Sequence, residues 1–103
     1  MDVFITQTAE ENLSEFYAYL REYNEVYADE FHDRLVGFII ETLSAHPKIG
    51  HVYNAAQGLR RLIFKKRYNI YYQIKQDGIF VLFILDGKML VNIALAESGA
   101  DLD

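Results

Sequence analysis

Apolar positions along the chain follow two different periods. Up to about residue 45 they recur every three or four residues, and beyond residue 58 they alternate or run together. Val3-Phe-Ile5 is a short apolar run that reads as a strand. Thr8-Ala-Glu-Glu11 has the form of a capping box, in which the Thr hydroxyl takes a free amide and the Glu reaches back to the cap. It predicts a helix from there to about Tyr23, with Leu13, Phe16, Tyr17 and Leu20 as its apolar stripe. Tyr19 and Tyr23 lie off that stripe, one turn apart, either widening the apolar face toward the next helix or forming a ledge for a partner.

Asn24 is a natural cap for a second helix, from about Val26 to Ala45. Phe31, Leu35, Phe38, Ile39, Thr42 and Leu43 keep helical spacing along it. The short link implies an antiparallel helical hairpin. Gly37 inside this helix costs about 1 kcal/mol relative to Ala, which close helix packing would explain. His46-Pro47 ends the helix, because proline disfavours helical geometry in the residue before it. His51 to Gln57 reads as an extended loop.

Three strands follow at about Leu59–Lys65, Tyr68–Lys75 and Ile79–Leu85. In the second, Ile70, Tyr72 and Ile74 alternate with Asn69, Tyr71, Gln73 and Lys75, the pattern of a half-buried strand. The third is apolar on both faces and belongs inside the sheet. Asp77-Gly78 between them predicts a type I′ hairpin turn, since Gly takes positive φ without a clash. Met89–Leu95 reads as a further strand, and residues 97–103 as a loose acidic tail. The expected class is α+β: an N-terminal strand, a helical hairpin, then a three- to four-stranded antiparallel sheet, in the order β-α-α-β-β-β-β. Residues 1–96 form the expected single domain.

Charge sharpens this picture. Residues 1–50 carry three basic side chains against ten acidic, a net −7, whereas residues 51–103 carry seven against five, a net +2, together the chain's −5. The acidic helical half and the basic sheet half make a polarised molecule whose field can orient a partner. The absence of cysteine excludes disulfides and thiolate zinc sites. The N-terminus lacks a basic region followed by a long apolar run, so neither a signal peptide nor a membrane span is expected and the cytoplasm is the default.

Five cations fall within eight residues: Arg60, Arg61, Lys65, Lys66 and Arg67. Such a run can cradle phosphates, and it can equally blunt an exposed strand edge against aggregation. Tyr68 and Tyr71 beside it are strand packing residues or stacking surfaces for a base. His32, His46 and His51 have no metal-ligand spacing, and no carboxylate pair, glycine-rich phosphate loop or nucleophile elbow is present. Neither a metal nor a cofactor is expected.

In order and spacing, Thr8-Ala-Glu-Glu-Asn-Leu13, His46-Pro47-x-x-Gly50, Gly58-Leu-Arg-Arg-Leu62 and Tyr68-x-Ile-Tyr-Tyr72 together resemble the RelE/ParE toxin superfamily, over residues 1 to about 90. The resemblance implies the toxin of a bacterial type II toxin–antitoxin pair, neutralised by an antitoxin whose C-terminal segment wraps it. RelE-like members cleave mRNA on the ribosome. ParE-like members bind and poison DNA gyrase without being nucleases.

This chain departs from the nuclease pattern. It has no His or Tyr after Tyr72 and no Arg after Arg67, and Asn69 stands where the nuclease Arg would lie. Cleavage by 2′-OH attack needs a proton acceptor, a proton donor and cations on the phosphorane. Lys65, Lys66 and Arg67 supply cations, but nothing late in the chain supplies a tunable acid. The resemblance therefore implies a ParE-like toxin that is not an enzyme. Arg60, Arg61, Lys65, Lys66 and Arg67 face its target as one cationic rim, with Lys88 secondary and Tyr19 and Tyr23 as antitoxin contacts. A ribosome-dependent mRNA endonuclease and a non-toxic, antitoxin-binding relative are the alternatives.

Overall fold

The structure, a computed structural model, describes residues 1–88. The strand expected at Met89–Leu95, the tail at 97–103 and the domain boundary at 96 lie outside the described residues. Strand β1 (Val3–Ile5) leads into helices α1 (Gln7–Arg21) and α2 (Glu25–Ala45). Strands β2 (His51–Asn54), β3 (Leu59–Phe64), β4 (Tyr68–Lys75) and β5 (Gly78–Asp86) follow. They form one mixed sheet in the order β1-β5-β4-β3-β2. The last four make an antiparallel meander, and β1 adds in parallel to β5, Val3 opposite Ile79 and Ile5 opposite Val81. The α+β class and the element order agree with the sequence reading.

The helical hairpin covers one face of the sheet. Leu13, Phe31, Leu35, Ile39 and Leu43 from the helices meet Leu62, Ile70, Tyr72, Ile79, Val81 and Ile84 from the strands in one core. Burial of these side chains is the main drive to this arrangement, roughly 1.5–3 kcal/mol each.

Four local expectations are corrected. The cap of α1 is Thr6, not Thr8: its hydroxyl accepts from the Ala9 amide and donates toward the Val81 and Leu82 carbonyls at 2.8 and 3.0 Å. A tertiary bond to β5 therefore overrides the local capping box. The expected loop at His51–Gln57 contains edge strand β2, whose largely exposed side chains leave no alternation to read. A Cβ on Gly37 would meet nothing within 4 Å, so close helix packing does not account for that glycine.

Fourth, the type I′ turn lies elsewhere. The two residues of the β4–β5 turn are Gln76 and Asp77, while Gly78, at φ +150°, already pairs with Lys75. A Cβ there would lie 2.7 Å from the Asp2 carbonyl oxygen, so β1 packs directly on this glycine. The left-handed pair is Lys65 and Lys66, at φ +52° and +58°, closed by the Arg67 amide donating to the Phe64 carbonyl at 3.1 Å. This is the backbone signature of a type I′ turn.

Candidate target-binding site

Helix α1 runs along β5: Asn12 accepts from the Ile84 amide at 2.9 Å, and Phe16 packs on Tyr68 with ring centroids 5.3 Å apart. Its C-terminal end therefore reaches the same pole as the β3–β4 turn and the end of β5. There Glu15, Phe16, Tyr19, Leu20, Arg67, Tyr68, Asp86 and Lys88 line a groove of about 350 Å³.

Arg67 forms a bidentate pair with Asp86, Nε to Oδ1 and Nη2 to Oδ2, both at 2.8 Å. Its guanidinium also stacks 5.2 Å from the Tyr68 ring centroid. The hydrogen bonds from Arg67 hold the Asp86 carboxyl below its usual range, opposed by burial and helped by the Lys88 amide. The same pair raises the Arg67 pKa. Burial pushes the Tyr68 phenol up, against the pull of Arg67. The Gly87 amide closes the corner on the Arg67 carbonyl at 2.7 Å.

Lys65 and Lys66 form the exposed turn beside this corner, the Lys65 ammonium lying 5.5 Å from the Phe64 ring centroid, and among the described residues neither has a carboxylate within salt-bridge distance. An L-residue in the left-handed region costs roughly 1–2 kcal/mol, and such strain gathers at functional positions. Across the groove, Tyr19 and Tyr23 are 57% and 74% exposed, with ring centroids 5.3 Å apart.

The pole thus brings together Lys65, Lys66, Arg67, Lys88, Tyr19 and Tyr23, which lie far apart in sequence. Arg60 and Arg61 are not part of it, so the five clustered cations do not make one rim. Alternation along β3 sends their side chains to opposite faces. Arg60 donates to the Lys48 and Gly50 carbonyls at 3.1 and 2.7 Å and ties down the turn after α2. Arg61 lies on the sheet face away from the helices, over the Tyr53 ring. Tyr68 and Tyr71 are buried packing residues rather than base-stacking surfaces. The Asn69 amide donates to the Arg67 carbonyl at 3.2 Å and so serves the corner. No cluster of three or more potential metal ligands occurs among the described residues.

The sequence reading missed that Asp86 holds Arg67, since nineteen residues separate the two. The register of β4 against β5 puts Tyr68 opposite Asp86, and the Asp-Gly at the end of β5 was the available signal. Ion-paired Arg67, exposed lysines and phenols rimming an apolar groove suit recognition of an anionic protein or nucleic-acid surface.

The class of the protein is an α+β domain with a helical hairpin on one face of an antiparallel meander and a groove at the end of α1. Residues 3–91 match the family model described as ParE toxin of type II toxin-antitoxin system, parDE. The chain belongs to this ParE toxin family, within the RelE/ParE superfamily, whose members pair with an antitoxin. No curated protein gives a significant match. Among the described residues no helix is long and apolar enough to cross a membrane.

Proposed function

We propose that this toxin inhibits DNA gyrase by direct binding, with Lys65, Lys66, Arg67 and Lys88 facing the target, and that a cognate antitoxin contacting Tyr19 and Tyr23 neutralises it. One observation carries the reading: Arg67, Lys88 and Tyr19 line one groove, and the exposed left-handed turn of Lys65 and Lys66 adjoins Arg67. The corner is suited to binding rather than proton transfer. Its buried carboxyl, Asp86, is held ionised by Arg67, and burial holds the Tyr68 phenol protonated. Family membership favours gyrase over mRNA as the target.

The test is a supercoiling assay with purified gyrase and the purified toxin. Loss of supercoiling and a trapped cleavage complex at micromolar toxin are expected. Full supercoiling at that concentration overturns the proposal. Primer extension on mRNA after induction is the companion measurement, and codon-placed cuts would assign the toxin to the ribosome instead. If induction leaves growth unchanged while the antitoxin still co-purifies, the chain is a non-toxic relative.

A further inference from the structure

Tyr17 of α1 and His32 of α2 meet edge-on in the furrow between the two helices, ring centroids 6.0 Å apart. With Ser14 and Asp29 they line a pocket of about 320 Å³. The Tyr17 hydroxyl donates to Asp29 Oδ1 at 2.5 Å, and that bond is the main reason its pKa is raised. The phenol therefore stays a donor, and Asp29 is pinned against the ring. Among the described residues its second oxygen, Oδ2, accepts no hydrogen bond, and no Lys or Arg lies within salt-bridge distance of it.

Ser14 continues into a second furrow, of about 430 Å³, lined by Gln7, Glu10, Glu11, Ser14 and Glu15. Among the described residues no Lys or Arg lines either one. Arg21, one turn beyond Tyr17, is taken up by Glu25 at 3.5 Å. Glu10 and Tyr17 stand two turns apart, about 10 Å along α1. The two furrows thus make an acidic strip with an aromatic end. The chain's own C-terminal segment is ill suited to cover it, because residues 89–103 carry Glu97, Asp101 and Asp103 and no cation.

We propose that this strip is a docking site for a basic helix of a partner protein, with the guanidinium of one arginine seated between Tyr17, His32 and Asp29. A guanidinium offers a carboxylate a planar fork of donors, stacks on aromatic rings and is more weakly hydrated than an ammonium. Because Tyr17 already holds Asp29, seating the arginine costs little further ordering of the site. A second basic residue two turns along the partner helix spans the same distance, about 10 Å, and meets Glu10 and Glu11. A nucleic-acid strand is disfavoured, since its phosphates are repelled by these carboxylates. A metal ion fits less well, since no group of three His, Asp or Glu ligands occurs among the described residues.

The test is fluorescence anisotropy of a labelled, alanine-based helical peptide with arginines two turns apart, titrated with the full-length protein. It uses neither gyrase nor antitoxin, so its failure would leave the function proposed above untouched. Saturable binding is expected, several-fold tighter than for the same peptide with lysines. Asp29→Asn should weaken it by about fivefold or more, the loss of one charge-assisted contact, and so should Glu10→Gln with Glu11→Gln. Glu15 stays in place because it also lines the groove at the pole. Glu41→Gln, an equal loss of charge elsewhere on α2, should leave binding unchanged. Circular dichroism confirms each fold, and Tyr17→Phe, which releases Asp29, replaces Asp29→Asn if that variant unfolds. Absence of binding overturns the proposal. So does equal weakening by Asp29→Asn and Glu41→Gln, which would mean diffuse charge attraction. Equal affinity for the lysine peptide overturns it too, as does displacement by spermidine at concentrations below those of unlabelled peptide, which would make the strip a polyamine site.

Discussion

Replacing Lys65 by Asn and Lys66 by Gly should make the toxin more stable and less active at once. Both lysines occupy left-handed backbone, at φ +52° and +58°. That conformation costs an L-residue roughly 1–2 kcal/mol, less for Asn and nothing for Gly. Asn-Gly is the favoured pair for this turn. Against the gain stands the larger unfolded-state entropy of Gly, roughly 0.5–1 kcal/mol. The net expectation is about 1 kcal/mol of added stability, which raises Tm by about 5 °C in a domain of this size. The same change removes two exposed cations, each worth up to about 1 kcal/mol at a partner's surface. Gyrase inhibition should therefore weaken by about tenfold or more. Thermal melts and supercoiling titrations of both proteins measure the two effects. A lower Tm would refute the strained turn, and unchanged inhibition would remove the lysines from the target surface.

Other outcomes follow from single contacts. Tyr72 is fully buried, and its hydroxyl donates to the Pro47 carbonyl at 2.8 Å and accepts from the Gly50 amide at 2.9 Å. Tyr72→Phe strands both groups and should cost about 2–4 kcal/mol in denaturant melts, and a loss under about 1 kcal/mol would contradict the contact. Asp86 ionises below its unfolded value because of Arg67. Its contribution is therefore complete above the unfolded carboxyl pKa of about 4 and disappears as pH falls through the lower folded value. Urea midpoints for the parent should drop across that window, whereas Asp86→Asn should lower stability at neutral pH and flatten the acid limb. Asn24 accepts from the Tyr27 amide at 2.9 Å as the cap of α2. Asn24→Ala should cost about 1 kcal/mol, and melts within error of the parent would rule that out. Tyr19→Asp with Tyr23→Asp should weaken capture of a cognate antitoxin without changing the fold, and undiminished capture would place the antitoxin elsewhere.

Where local chemistry and burial agree, the chain announces its own structure. Strand β4 runs from Tyr68 to Lys75 as its alternation predicts, with Tyr68, Ile70 and Tyr72 in the core under the helices, but Asn69 and Tyr71 are buried on the other face too, so it is not the half-buried strand expected. Asn24 and His46-Pro47 bound α2 because cap and proline act within a turn of backbone. Even the division of Arg60 from Arg61 is implicit in a period of two. Tertiary contact decided the rest. Thr6 displaces Thr8 as the cap of α1 because β5 offers it two carbonyls. β1 joins the sheet in parallel beside β5, a pairing no local pattern encodes. A bulge where β4 meets β5 at Tyr71 and Tyr72 shifts that register. Val81 and Ile84 thereby share the core face although three residues apart, and β5 reads as apolar throughout. The pole exists only because α1 ends where the β3–β4 turn and the end of β5 do. Sequence carries periodicity and caps, which depend on neighbours within a few residues. A site drawn from three distant segments depends on which faces pack together, and that is settled by burial of the whole core.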